Sequence, residues 1–452
     1  MIIRFQVSNF RSFREPTTLL LTAGKEKQHR ERLRRHGCFS VPLLPVALVY
    51  GANASGKTNL TEAIDFLRTL VLEGVQAGAA IHRQAFKLDP VFAGRPTVFE
   101  MDFVALNETP YRYRIAVDDS VVVEEMLVEI RRSSEARLFH RKGSEFDLGG
   151  LLKTAEGRER KGFLRFTAEG TRPNQPFLAE ARQRAVTELR PVLDYFERAL
   201  TVLGPDSKPI TLEQELIDQA GFRDFLVERI KSADMGIEDI EIQELPLDQV
   251  DEVPREVREM IKAKLGPNEM HLIRAGKRHG QRFLVRFKDG EAVVSTLRTR
   301  HSGMDGGGVP FNLDEESDGT LRYIDLSMAF HALALKNSGH VFIVDELDRS
   351  LHPNLVREAM EAFLAGCGPD SKSQLIVTTH DATLMTQDLF RRDEIWFAEK
   401  EPCGSTTLHS LGDFKDLRYD TELQRNYLTG RLGGVPIIQH RPLAAQELPV
   451  EV

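Results

Sequence analysis

The sequence predicts an α/β fold: a mostly parallel core sheet covered by helices, an antiparallel β-subdomain, and a largely helical insertion. Three stretches carry that expectation. Val46–Tyr50 (VALVY) is a short apolar, β-rich run that passes directly through GANASGKT into residues with helical spacing. From about residue 311 the pattern alternates helix, strand, helix, strand, as in a parallel sheet with covering helices. Between about 97 and 148 stand alternating runs (TVFEMDFVAL, YRYRIAVD, VVVEEMLVEIRR, RLFHRKG) with turn residues at Asn107 and Asp118-Asp119-Ser120, which reads as an antiparallel meander.

Taken in order, residues 2–7 and 17–21 read as strands around the segment Asn9–Arg14, and a basic loop runs from Lys25 to His36. The first helix places Leu60, Ala63, Ile64, Leu67, Leu70 and Val71 on one face, with Gly74 as its stop. Residues 150–300 form the insertion. Its helical patterns cover 177–203, 212–232 and 254–265; Pro191 breaks or kinks the first, and Gly236 and Gly266 lie where helices can end. A hairpin closes it, FLVRF and EAVVSTL about the turn Lys288-Asp289-Gly290. Sustained heptads and internal repeats are absent from the sequence, which disfavours a long coiled-coil arm. Then follow a helix at Leu321–Leu335, a strand at Val341–Val344, a helix at Asn354–Leu364, and strands at Leu375–Thr378 and Glu394–Ala398. The chain ends in the Gly- and Pro-rich YLTGRLGGVP and a polar terminus of disordered character. The expected division is an N-terminal part of the head at 1–149, the insertion at 150–300, and a C-terminal part of the head at 301–452.

A chain of 452 residues is too long for one simple core. The formal net charge of −8 argues against a whole-surface nucleic-acid binder and leaves room for a local basic face. Three scattered cysteines, Cys38, Cys367 and Cys403, fit neither a disulfide framework nor a zinc site. The opening MIIRFQVSNF is interrupted by Arg4 and is followed by no small-residue cleavage site, and no apolar run reaches bilayer length, so a cytoplasmic location is expected.

Gly51-Ala52-Asn53-Ala54-Ser55-Gly56-Lys57-Thr58 satisfies GxxxxGK[ST] in a strand–loop–helix context. Glycines let the backbone wrap phosphates, amide N–H groups point at the anion, and the helix N-terminus adds partial positive charge. Lys57 would reach the terminal phosphates and Thr58 would ligate Mg²⁺. The second signal is Val341-Phe342-Ile343-Val344-Asp345-Glu346, a strand ending in two acids. Asp345 would hold Mg²⁺ and Glu346 would polarise an attacking water; the second acid is what predicts hydrolysis. A third strand, Leu375–Thr379, ends in His380, at the carboxyl edge where ligands bind in parallel sheets.

These residues resemble the ABC ATPase superfamily, and within it the branch containing RecF, SMC and OLD-type proteins. The sequence is identified as a stand-alone ABC-type AAA ATPase of that branch, lacking a TOPRIM domain. The resemblance covers residues 1–75 and 311–435. Asp345-Glu346 followed by Leu347-Asp348-Arg349-Ser350-Leu351-His352-Pro353 is similar to a Walker B and D-loop pair, and His380 takes the switch-histidine position. Asn9-Phe10-Arg11-Ser12-Phe13 is like that branch's NFRSF opening, which implies Arg11 and Ser12 near the phosphates. In place of LSGGQ stands Glu316-Ser317-Asp318-Gly319-Thr320, which resembles an ESxGT signature loop; Ser317 and Gly319 would cap a γ-phosphate. The resemblance thus implies ATP and Mg²⁺ as cofactors, Glu346, His380 and Lys57 as catalytic, and Thr58 and Asp345 as metal ligands. Gly51, Asn53, Ala54, Ser55, Gly56, Lys57, Thr58, Asn59, Arg11, Ser12, Ser317 and Gly319 would bind nucleotide. The family's Q-loop is not evident; Gln84 is a weak match.

The resemblance further implies that one head cannot complete its own site, so that two copies sandwich ATP in a homodimer or higher homo-oligomer. Hydrolysis would then serve the sensor ATPase of a phage-defence system with a separate effector nuclease or toxin, or a RecF/SMC-like machine on double-stranded DNA. For the latter, basic clusters at Lys25–Arg35 and Arg158–Lys161 would touch phosphates. A transporter motor at a membrane is disfavoured by the missing LSGGQ and the long insertion.

Overall fold

The computed structural model describes residues 1–207, 212–218, 220–266, 270–275, 281–288, 290–336, 338–414 and 422–436. The polar terminus beyond 436 and Asp289 of the expected hairpin turn lie outside the described residues.

At the centre is a six-stranded sheet of β1 (Val46–Tyr50), β2 (Leu200–Leu203), β3 (Val341–Val344), β4 (Gln374–Thr378), β5 (Ile395–Lys400) and β6 (Thr406–Ser410). Its order is β6-β5-β1-β4-β3-β2, parallel throughout except for the antiparallel edge strand β6. Every residue of β1, β3 and β4 is buried, because both faces of the sheet are covered. Alternate side chains separate to the two faces. Ala47, Val49, Ile343 and Ile376 pack with Leu60, Ala63, Ile64 and Leu67 of helix α1 (Lys57–Leu72). Val46, Leu48, Phe342, Val344 and Leu375 pack with Leu326 and Leu333 of α2 (Asp318–Ala334) and with Met360 and Phe363 of α3 (Pro353–Ala365).

A second sheet is the expected meander, seven strands including Ile2–Ser8, Thr17–Leu20 and the run from Thr97 to Asp147. Its Phe99, Met101, Phe103 and Tyr113 share one hydrophobic cluster with α1, so α1 packs against both sheets. Buried Gln374 at the start of β4 ties the N-terminal strand to the core sheet: its Nε2 donates to the carbonyls of Ile2 and Leu44 at 3.0 and 2.9 Å, and its Oε1 accepts from the Ile2 N–H at 2.7 Å.

The segment 177–203 departs from the single helix expected of it. It divides into helices at Phe177–Gln183 and Arg190–Asp194, a π-turn at Tyr195–Ala199, and strand β2. The apolar positions of LTVL do not distinguish strand from buried helix by periodicity; pairing with β3 decides it, since Asp345 N–H can then donate to the Leu203 carbonyl at 2.8 Å. The insertion also carries an antiparallel sheet of Ile237–Pro246, Met270–Ala275, Gln281–Lys288 and Glu291–Ser302, extended by Gly308–Asn312. Ile240 and Leu297 of this sheet, with Leu226 and Ile230 of the preceding helix, pack on Tyr323 and Ile324 of α2.

Gln374→Leu would leave the Ile2 N–H and two carbonyls unpaired in a buried join. We expect a loss of about 3 kcal/mol in folding stability, measured by denaturant unfolding; a change below about 0.5 kcal/mol would show that this join is not what holds the N-terminal strand.

Candidate functional site

Parallel pairing fixes where the functional segments lie. β1, β4 and β3 are neighbours in register, so the residues that follow them emerge together at one edge: Gly51 after β1, Thr379-His380 after β4, Asp345-Glu346 after β3. The Thr379 N–H donates to the Val49 carbonyl at 3.2 Å, and the Leu347 N–H to the Thr378 carbonyl at 3.0 Å.

The loop after β1 enters α1 through left-handed backbone at Ala54 (φ 63) and Gly56 (φ 110). A Cβ at Gly56 would collide with Thr406 and come within 2.9 Å of the Ser12 hydroxyl, so glycine is required twice over, by conformation and by space. The Lys57 ammonium donates back to the carbonyls of Gly51 at 2.7 Å and Ala52 at 3.2 Å. Burial lowers its pKa to about 8, against the opposing pull of Asp345, Glu346 and Asp348. Asn53, Ala54 and Thr58 are exposed, and the Ser55 side chain is buried.

At the tip of β3, Asp345 is 1 % exposed. Its Oδ1 accepts from the Thr378 hydroxyl at 2.5 Å, and the same hydroxyl accepts from the Glu346 N–H at 2.8 Å. Asp345 Oδ2 is buried with no protein donor among the described residues. Glu346 adopts φ 49, and this left-handed turn swings its carboxylate out of the buried strand line, to 37 % side-chain exposure. An orphaned buried carboxylate oxygen beside the exposed Thr58 hydroxyl's loop is a hard oxygen donor set of the kind that suits Mg²⁺. His380 has its pKa lowered by burial and by Lys57, so its ring is neutral at pH 7. Its backbone N–H donates to both carboxylate oxygens of Asp348, at 3.2 and 3.3 Å.

Arg11 and Ser12 sit at the tip of a tight turn closed by Phe10 and Phe13, whose N–H groups donate to each other's carbonyls at 3.0 and 2.8 Å, with both rings buried. The turn meets the start of α1. Arg11 Nη1 donates to Asn59 Oδ1 at 3.3 Å and pairs with Glu62, while the Ser12 hydroxyl accepts from Asn59 Nδ2 at 2.6 Å and from Thr406 Oγ1 at 2.7 Å. Thr406 Oγ1 also lies 2.7 Å from the Ser55 carbonyl, which joins β6, the loop after β1 and the N-terminal turn. The Gln84 side chain is exposed; its carbonyl accepts from the Arg11 N–H at 2.5 Å.

Ser317 and Gly319 stand against a different neighbour. Ser317 is the N-cap of α2, its hydroxyl accepting from the Thr320 N–H at 3.1 Å, and a Cβ at Gly319 would lie 2.6 Å from the Ser350 carbonyl. The loop is gripped from the insertion's sheet: Thr299 and His301 both bond the Glu316 carboxylate, the latter at 2.7 Å. Sequence reasoning missed that grip, together with the supporting roles of Thr378 and of Arg322, whose guanidinium donates to the Asp345 carbonyl at 3.2 Å and the Gly204 carbonyl at 3.4 Å. Asp348 was named only as part of the D-loop-like run, with no bond to the His380 backbone expected of it.

The profile of a family described as "AAA domain, putative AbiEii toxin, Type IV TA system" matches residues 46–386, most of the chain. The chain belongs to that family. The ABC-type ATPase reading of the sequence stands with it, and the matched span runs from β1 past His380, so it includes all the strand tips described above. Among solved structures, this AAA-domain chain is similar to an SMC head bound to the C-terminal winged-helix domain of ScpA (14 % identity, 90 % of this chain and 97 % of that one, TM-score 0.40). It is also similar to the SMC head domain from Thermotoga maritima (14 % identity, 90 % and 98 %, TM-score 0.34) and to the recombination mediator RecF in the RecFOR pathway (15 % identity, 90 % and 98 %, TM-score 0.34). No curated protein matches the chain. Among the described residues no helix is long and apolar enough to cross a membrane.

In the ligand-free protein the Lys57 ammonium should titrate near pH 8, and Asp345→Asn, which removes its largest opposing charge, should move that titration lower. Isotope-labelled lysine NMR measures both; an unmoved titration would mean that the loop and the acidic strand tip do not share one electrostatic site.

Proposed function

We propose that this chain binds and hydrolyses ATP as an ABC-type ATPase whose heads associate around the nucleotide. We further propose that it is the sensor or regulatory ATPase of a bacterial phage-defence system acting with a separate effector nuclease or toxin. The observation that carries the ATPase reading is the meeting of Lys57, Asp345, Glu346 and His380 at one sheet edge, where the two carboxylates act on the charge of Lys57 and of His380. The defence reading is supported by the family's description, which names a toxin and a type IV toxin–antitoxin system.

Lys57 would exchange the Gly51 and Ala52 carbonyls for phosphate oxygens, whose negative charge would offset the desolvation that lowers its pKa. Thr58 and Asp345 would hold Mg²⁺, which would supply positive charge against the charge developing on the phosphates. Glu346, swung out and partly exposed beside Arg349, would orient a water and take its proton. Neutral His380, fixed through its backbone by Asp348, would hydrogen-bond the γ-phosphate. Gly319 against Ser350 and Ser317 at a helix N-terminus leave the α2 end as a donor surface for a second head's nucleotide. ATP would then hold two heads together while its γ-phosphate is present.

A DNA-associated role is the second reading. The basic loop supports it less than its composition suggests, because Arg32 and Arg34 are buried and paired with Glu394 and Glu108. Exposed Lys25, Lys27, Arg30 and Arg35, with Arg158 and Arg165 on one helix, still offer phosphate contacts. ATPase rates with and without linear duplex DNA separate the readings: salt-sensitive stimulation favours the DNA machine, indifference the sensor ATPase.

Glu346→Gln should lower phosphate release by about 100-fold or more while lengthening the life of an ATP-bound dimer in light scattering. Ser317→Arg should spare nucleotide binding and abolish turnover; turnover and dimerisation at the wild-type level would end the sandwich model. Because Lys57 is deprotonated above pH 8 in the free protein and charged when paired with triphosphate, ATP affinity should fall as pH rises through about 8, with proton uptake on binding. Calorimetry in buffers of different ionisation enthalpy measures that uptake, and pH-independent affinity from 7 to about 9.5 would contradict it.

A further inference from the structure

The YLTGRLGGVP motif has no part in the site as described so far, yet it lies directly behind it. We infer that Tyr427, Gly433 and Gly434 are positioning residues of the nucleotide site, forming a strut that fixes Gly51 and hence the carbonyl on which Lys57 rests. The inference builds on the ATP-site reading above.

The strut is anchored in the core. Leu423, Tyr427 and Leu432 are buried in the same cluster as Leu48 and Tyr50 of β1. The Tyr427 ring packs edge-on to Tyr50, centroids 5.5 Å apart, and stacks on Phe397 at 5.8 Å. Those rings belong to the residues immediately before Gly51 and before Ala398. Its hydroxyl donates to the Gly434 carbonyl at 3.3 Å and faces the Gly51 backbone N–H, whose pull opposes the rise that burial gives the phenol pKa.

The chain then folds back through left-handed Gly433 (φ 75) and Gly434 (φ 68). The Gly434 N–H donates to Glu399 Oε1 at 2.7 Å. A Cβ at Gly433 would overlap the Glu399 carboxylate, and one at Gly434 would stand 3.1 Å from the Phe397 ring and 3.6 Å from the Gly51 Cα. Gly51 is itself tightly surrounded, since a Cβ there would clash with the Ser55 side chain and lie 2.6 Å from the Ala398 carbonyl. Gly51 thus lies between β5 and the strut, which packs behind it. A loop fixed before ligand arrives loses less conformational freedom on binding, so the strut acts on affinity.

The test uses the full chain, with Mg-ATP binding measured by a fluorescent analogue alongside steady-state turnover. Tyr427→Phe keeps the ring packing and removes the hydroxyl; Glu399→Ala removes the acceptor for Gly434; Gly434→Val crowds the Phe397 and Tyr427 rings behind Gly51. Each should weaken nucleotide binding about fivefold to tenfold and raise KM with a much smaller change in kcat, whereas Leu428→Ala, at a 62 % exposed position, should leave both unchanged. Should Gly434→Val fail to fold, the Tyr427 and Glu399 variants carry the test with their melting curves. Wild-type binding with Tyr427→Phe and Glu399→Ala equally tight overturns the strut alone. A wild-type chain that ignores Mg-ATP overturns the site reading and the strut with it.

Discussion

The hydroxyl of Thr378, fully buried at the end of β4, donates to the Asp345 carboxylate and accepts from the Glu346 N–H. That one group links two neighbouring strand ends and sets the two acids in opposite roles. Asp345 stays in the sheet with one oxygen unclaimed among the described residues, and Glu346 turns out through its own left-handed backbone. Everything else at the site follows from β1 being next in the same parallel sheet, which brings Lys57 to face both acids. A strained residue at Glu346 survives only because the backbone around it is bonded on each side, to Thr378 Oγ1 and to the Thr378 carbonyl.

Around this centre, three separate parts of the chain hold the loop of residues 51–58. The N-terminal turn reaches it through Ser12 and Asn59, the edge strand β6 through Thr406, and the segment after residue 422 through Tyr427 and Gly434. The loop's residues are adjacent in sequence, while its shape is determined by contacts from both ends of the chain. The insertion meets the other half of the site, gripping Glu316 and packing on α2, and α2 in turn reaches Asp345 through Arg322. Whatever the insertion contacts thus has a packed route to the acidic strand tip.

The legible parts of the fold were those with a local signal. GANASGKT between an apolar run and a helical pattern, and VFIV before two acids, specify strand, loop and chemistry within a dozen residues each, and β1, α1 and β3 lie where that pattern places them. The Ser317 loop was legible as a helix start, since a Ser N-cap before a periodic run has a local cause. What escaped depended on distant partners. LTVL is a strand only because β3 offers it an edge, and TTLHS only because β5 does. Thr406, Thr378, Arg322 and Tyr427 are ordinary residues in sequence, and their importance comes from neighbours tens to hundreds of positions away, which no periodicity encodes. The buried arginines of the basic loop show the reverse error, in which a composition that suggests solvent or phosphate is instead matched by internal carboxylates.

The central claim is that Lys57 and Asp345 belong to a single triphosphate site. A double-mutant cycle on Mg-ATP binding with Lys57→Ala, Asp345→Asn and the pair tests it most directly. The account predicts that each single change weakens binding and that the pair loses less than the sum of the two. Losses that simply add, or a binding constant indifferent to either change, would contradict it.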